Sequence, residues 1–353
     1  MVACHALVLM LELMYILVVP CSVCHLNSSK CTLRGVYVGA PSKVEAILRS
    51  VVPGVNAVVI DVKDDSGNIT YNLGDDGFKP YYKSAPMARD IVLKLKSMGF
   101  YTIARIVAFK DKKKALSDSK LAVTNLNGTV YVDKEKMVWL NPYKKATHDY
   151  LISIAKLAAD AGFDEVQFDY IRFSHYSSML KNTNVWRHIE KKSRINIVNE
   201  FLSKVVNELH KKHVKMSVDV FGCIIPEAMS TYKSDSENLG QDYVKISQIV
   251  DYICPMIYPS HWPANSCGVQ KPDINPYKIV DIVMQLSKKA LGREQVKVRP
   301  WLQAFTASWL KRGMWKKYGN KEVKQQIDAS VKHGVKEICL WNPSGNYKQV
   351  LAQ

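Results

Sequence analysis

Eight short apolar runs rich in β-branched residues recur along the chain, each followed by a loop and then, in most cases, by a stretch with helical apolar spacing. This alternation restricts the fold more than any other feature. The runs are LRGVYV (33–38), VNAVVIDV (55–62), YTIARIVAF (101–109), EVQFDYIRF (165–173), VKMSVDVF (214–221), VDYICPMIY (250–258), VKVRPWLQAF (296–305) and VKEICLWN (335–342). Their near-continuous apolar character marks strands covered on both faces, as parallel sheets require. Helical spacing occupies 41–52, 87–99, 146–162, 194–212, 277–291 and 321–334, with a weaker turn around 241–249. Gly99, Gly162 and Gly334 each stop such a stretch shortly before the next strand.

Two architectures satisfy eight alternating units: a doubly wound sheet and a closed barrel. No GxGxxG turn follows the first strand, which disfavours the dinucleotide-binding sheet. No low-complexity linker divides the units either, so the expectation is one (β/α)8 TIM barrel over residues 32–353. The strand-to-helix connections at 63–86, 109–145, 174–193, 222–240, 259–276 and 306–320 are long, while helix-to-strand links are short. In a barrel all the long ones gather on the C-terminal rim, where binding sites are built.

Ahead of the barrel, ALVLMLELMYILVVP (6–20) is an apolar run broken only by Glu12 and followed by Cys21, Ser22, Val23 and Cys24. It predicts an export signal or N-terminal membrane anchor over residues 1–31, and hence a secreted, periplasmic or anchored protein. No Lys or Arg precedes the run, so the competing reading is a hydrophobic extension on a cytoplasmic protein. Eight cysteines in 353 residues are too few for a disulfide scaffold, and those within the barrel read as buried thiols.

The net charge is +17, from 49 Lys plus Arg against 32 Asp plus Glu. The basic clusters, such as KDKKK (110–114) and KRGMWKK (311–317), fall in loops and outer helix faces with no nucleic-acid motif, so specific nucleic-acid binding is not expected. The excess reads as a solvated shell suited to an anionic envelope surface or an acidic glycan.

Polar residues at the C-terminal strand ends are the candidates for function. Asp169 and Asp219 stand in strands otherwise built of Val, Ile and Phe, where a carboxylate is costly to bury without a partner or a purpose. Neighbouring strands lie ~4.8 Å apart, so these two can form an acid/base or nucleophile pair. The competing reading for each is a salt bridge, with Arg105 or Arg172 as partner. Asp61, Lys63, Arg105, Gln167, Tyr170, Arg172, Tyr258, His261, Gln303 and Trp341 are candidate substrate contacts. Strand alternation puts Gln167, Asp169 and Ile171 on one face and Phe168, Tyr170 and Arg172 on the other. Tyr37, Trp262, Trp301 and Trp309 add flat apolar platforms of the kind sugar rings stack on, although Trp301 and Trp341 suit core filling equally. His175 and His261 stand apart from any metal-binding pattern, so neither a metal nor a cofactor is expected.

The order RGVYV, VNAVVIDVKDDSGNITY, YTIARIVAFKD, WLNPY, GFDEVQFDYIRF, SVDVFG and PMIYPSHW resembles the bacterial DUF4015-type glycoside hydrolases, TIM-barrel proteins related to α-amylase- and α-galactosidase-like hydrolases. The likeness runs from about residue 33 to the C-terminus. It departs at Ser174, where the family usually has proline. The resemblance implies hydrolysis of a poly- or oligosaccharide, with Asp169 at the nucleophile position of retaining enzymes and Asp219 as acid/base. A nearby arginine would keep Asp169 ionised, a drier site would keep Asp219 protonated, and Asp61 and Lys63 would grip sugar hydroxyls. A barrel that binds glycan or cell wall without turnover is the alternative.

Overall fold

The computed structural model describes residues 32–39, 44, 54–75, 77–78, 85–189 and 191–348. The expected leader and nearly all of the expected helix at 41–52 lie outside these residues. Eight parallel strands close into a barrel in sequence order: β1 (Leu33–Gly39), β2 (Ala57–Lys63), β3 (Tyr101–Val107), β4 (Glu165–Asp169), β5 (Lys215–Phe221), β6 (Tyr252–Ile257), β7 (Trp301–Gln303) and β8 (Glu337–Trp341). β8 returns to β1 with Leu33 opposite Glu337 and Val36 opposite Leu340, which closes the (β/α)8 barrel. Helices Ala88–Ser97, Lys145–Asp160, Arg194–His210, Pro276–Leu291 and Asn320–Lys332 match the expected stretches, and the weak turn near 241–249 is the helix Tyr243–Ile249.

Alternation along the strands sorts the core into two layers. Val58, Ile60, Val62, Phe168 and Val218 face outward into the main cluster beneath the helices. Val59, Ile103, Cys254, Tyr258, Trp301 and Cys339 fill the barrel interior. The interior below them is ionic. Arg299, fully buried, donates from Nη1 to both oxygens of Glu165 at 2.8 and 2.9 Å and from Nη2 to Glu337 at 2.6 Å, with Tyr252 packed under its guanidinium. Tyr101 and Ser217 complete the shell around Glu165.

All strands but β1 are shorter than the runs that predict them, and two differ most. The run at 296–305 yields only three strand residues, because 292–297 coils into a 3₁₀ turn and Pro300 has no N–H for the ladder. The run at 165–173 stops at Asp169, because Tyr170 takes a left-handed conformation with φ of 50°. Gly162, at φ of 97°, ends the preceding helix as a C-cap should. The four cysteines among the described residues, Cys223, Cys254, Cys267 and Cys339, are free thiols.

Candidate active site

The C-terminal mouth of the barrel opens into a cavity of about 580 Å³. The β4–β5 register pairs Phe168 with Val218, so one residue further on Asp169 and Asp219 stand side by side, and both line the cavity. Arg105, one strand back on β3, binds Asp169 through Nη2 at 2.5 Å and Nε at 3.2 Å, and Asp61 on β2 through Nη1 at 2.6 Å. Tyr37 donates its hydroxyl to the other oxygen of Asp61 at 2.5 Å. The guanidinium lies against the stacked rings of Tyr37 and Trp341, whose centroids are 4.0 Å apart. Arginine, two carboxylates and a phenol thus form one buried network across β1 to β4.

Asp219 is held differently. It is 2% exposed and has no arginine partner; its side chain accepts a 2.7 Å hydrogen bond from Trp301 Nε1. Burial, reinforced by the charge of Asp169, raises its pKa well above the ordinary carboxylate range, and Arg105 and the Trp301 bond only partly oppose this. Two neighbouring carboxyl groups therefore sit in contrasting surroundings: Asp169 is ion-paired and Asp219 favours its protonated form.

Of the sequence-derived contacts, Arg105, Tyr170, Arg172, Tyr258, His261 and Trp341 line the same cavity. Strand alternation alone sets Tyr170 and Arg172 on the face opposite Asp169, although both are candidate substrate contacts. The left-handed turn at Tyr170 breaks the two-residue period, sending both to the rim while Ile171 packs into the outer core. The turn also aims the Tyr170 N–H at the free Asp169 oxygen, at 2.6 Å. Burial depresses the pKa of His261, and its Nδ1 meets Ser260 Oγ at 3.0 Å.

Four contacts lie elsewhere. Lys63 is wholly buried, paired with Asp111 at 2.9 Å and the Val107 carbonyl at 2.7 Å, after a bulge between Asp61 and Lys63 shifts the register of β2 against β3. Asp61 is turned into the Arg105 network and is not part of the cavity lining. Gln303 is a strut: it accepts from Ser260 N and donates to Asp273, fixing the loop that carries His261. Gln167 lies fully buried in the barrel interior, donating to Cys254 Sγ, with Oε1 unpartnered.

The cavity also holds Glu135, His175, Phe221 and Met256, which strand-end reasoning overlooked. Glu135 and His175 come from long loops, where period-two alternation carries no information. Trp301 was legible as an aromatic, but its role as hydrogen-bond donor to Asp219 was not.

A closed parallel barrel with a cavity at its C-terminal mouth defines a (β/α)8 TIM-barrel protein. The sequence profile of the DUF4015 family, described as "Putative glycosyl hydrolase domain", matches residues 33–347, and the chain belongs to that family. Comparison with curated protein sequences gives no match. Among solved structures, the PgaB (BpsB) glycoside hydrolase domain from Bordetella bronchiseptica aligns with a TM-score of 0.60 at 13% identity, over 90% of this chain and 98% of that one. The spore cortex-lytic enzyme SleL from Bacillus cereus aligns at 0.53 and 13% identity, over 92% and 74% respectively. A chitinase from Chromobacterium violaceum aligns at 0.52 and 15% identity, over 91% and 99%. At these identities the likeness is one of fold.

Proposed function

We propose that this protein hydrolyses an extracytoplasmic poly- or oligosaccharide by a retaining, two-carboxylate mechanism, with Asp169 as nucleophile and Asp219 as acid/base. The observation that carries this reading is the contrast between neighbours: Asp169 is ion-paired with Arg105, while Asp219 is buried with only the Trp301 N–H as partner, which raises its pKa. A lateral strand spacing of ~4.8 Å suits the ~5–5.5 Å carboxyl separation of retaining enzymes.

In the first step Asp219 gives its proton to the glycosidic oxygen as the bond to the anomeric carbon breaks. A carboxylate oxygen of Asp169 takes that carbon, forming a glycosyl ester. In the second step Asp219, now ionised, accepts a proton from water as the water attacks the anomeric carbon and releases Asp169. Tyr258 and Trp341 offer ring faces to the sugar, and the apolar run at 6–20 supports action outside the cytoplasm.

A second reading rests on the same ion pair. Both oxygens of Asp169 are already engaged, one by Arg105 and one by the Tyr170 N–H, as in a structural anchor of a barrel that binds glycan without cleaving it. One assay separates the two. Wild type and Asp169→Asn are incubated with aryl glycosides, chitin and cell-wall polymers, and products are read by mass spectrometry. Hydrolysis by wild type that falls about 10³-fold or more in the variant is the expected result. Equal turnover in both removes Asp169 as nucleophile, and binding without product establishes the second reading. N-terminal sequencing of the mature protein tests export: an intact Met1 in a cytosolic fraction refutes it.

A further inference from the structure

Three arginines are buried among the described residues: Arg105, Arg172 and Arg299. Arg105 and Arg299 each hold two carboxylates. Arg172, only 5% exposed, holds none. It donates a hydrogen bond from Nη1 to the Phe173 carbonyl at 3.1 Å, and the rings of Phe221, Tyr170 and Trp139 pack around its guanidinium at 4.4, 4.8 and 5.3 Å. Nε and Nη2 have no protein acceptor, neither is sealed from solvent, and the residue lines the cavity beside Asp169.

Asp169, Glu135 and Asp133 lie near enough to favour its charge, but none of them bonds it directly. Glu135, half-exposed, stands 3.4 Å from His175 Nε2, whose pKa is lowered by burial and by Arg172. Asp133 accepts from Trp139 Nε1 and Ser174 Oγ. Asp169 belongs to Arg105. An arginine side chain remains charged at neutral pH, and a buried charge whose nearby carboxylates do not bond it directly is costly unless a ligand supplies that contact. The open Nε–Nη2 edge is the fork that takes a planar carboxylate, or two oxygens of a sulfate ester, in bidentate fashion. The +17 net charge adds a field that draws polyanions toward the surface.

We propose that Arg172 forms an anion-recognising subsite next to the cleavage carboxylates, so that the substrate is a glycan whose sugars carry carboxylate or sulfate groups. This rests on the glycan-hydrolase reading above for the identity of the polymer. The three packed rings fix the plane of the fork, and the Phe173 carbonyl leaves its outer edge for the ligand. An uncharged sugar in that position leaves the Nε–Nη2 edge without a counter-charge.

Matched oligosaccharide pairs test the proposal: oligogalacturonate against its methyl ester, and a sulfated against an unsulfated oligosaccharide of the same backbone. Binding is measured by calorimetry at fixed ionic strength with wild type, Arg172→Met and Arg172→Lys, each verified as folded by circular dichroism. Wild type is expected to favour the anionic member of at least one pair about tenfold or more, and the responding pair tells carboxylate from sulfate. In Arg172→Met that ratio falls to about one, while Arg172→Lys, charged but without the fork, lies between. A wild-type ratio near one in both pairs overturns the proposal, as does a ratio unchanged in Arg172→Met. Should Arg172→Met fail to fold, an unchanged ratio in Arg172→Lys overturns it, and a reduced one supports it. Because the readout is binding, the subsite stands or falls by this experiment and the hydrolase reading by the hydrolysis assay above.

Discussion

Arg105 holds a single oxygen of Asp169 with two donors, Nη2 at 2.5 Å and Nε at 3.2 Å, and turns its remaining terminal nitrogen to Asp61. All three side chains are nearly inaccessible to solvent, so the charges are compensated inside the protein. Replacing Arg105 by Met leaves two carboxylates buried without their cation. Removing one partner of such a network costs about 3–5 kcal/mol. Urea unfolding of Arg105→Met at neutral pH is expected to show a loss of that size, together with loss of hydrolysis in the folded fraction. A loss below about 1 kcal/mol would mean that the network contributes little to the fold.

The raised pKa of Asp219 predicts a pH dependence on the alkaline side. Its folded pKa is raised, by burial first and by Asp169 second, whereas in the unfolded chain it titrates near ~3.9. Its contribution to stability is therefore complete below that value and is lost as pH rises through the folded pKa. Asp219→Asn keeps the acceptor for Trp301 Nε1 and carries no charge. The stability difference between this variant and wild type should move in the variant's favour as pH is raised from 4 toward 9, as denaturation at each pH would show. A difference independent of pH contradicts the protonated state. In activity, the alkaline limb of kcat is expected to follow Asp219, and Trp301→Phe should move it upward because the indole N–H favours the ionised form.

How far the sequence carried depended on whether local pattern or tertiary partner decided the outcome. The barrel follows from repeated apolar runs, and β2 and β5 end within a residue or so of where those runs end. Asp169 and Asp219 stood out because charge inside an apolar strand demands an explanation. The same reasoning, applied to the opposite strand ends, would have picked out Glu165 and Arg299, which sit in equally apolar runs and meet across the barrel floor. The turn at Tyr170 was not legible, since a tyrosine gives no local hint of a left-handed φ. That one dihedral breaks the strand period and puts Tyr170 and Arg172 in the same cavity lining as Asp169. The fates of Lys63 and Gln303 depended on Asp111 and Asp273, partners supplied by distant loops.

Trp309 offers a binding platform beyond the cavity. It is 65% exposed yet ordered by a stack on Phe305, with centroids 5.7 Å apart at 21°, and it borders His261 at the cavity wall. Taken on the scale of an aromatic pair, about 0.5–1.5 kcal/mol, a sugar ring laid on such a face gains roughly two- to thirteenfold in affinity. Trp309→Ala should raise KM by that factor for long oligosaccharides and leave KM for aryl monosaccharides unchanged. Equal effects on short and long substrates would place Trp309 outside the binding path. Thermal stability should hardly change, because little of the side chain is buried.

At the far end of the barrel, Arg299 provides a contrast with Arg105, since its carboxylates serve the fold and lie away from the cavity. It ties β4 to β8 from the segment leading into β7, crossing the interior between Glu165 and Glu337. Arg299→Met leaves the fully buried Glu165 with only Tyr101 and Ser217 as donors, a loss expected at about 3–5 kcal/mol. Because none of these residues lines the cavity, kcat per folded molecule should stay at the wild-type value below the melting transition. Active-site titration paired with urea unfolding measures both quantities on one preparation. A fall in kcat at full folding would show that the floor of the barrel controls the geometry of its mouth. Unchanged stability would show that the plug can be replaced by packing alone.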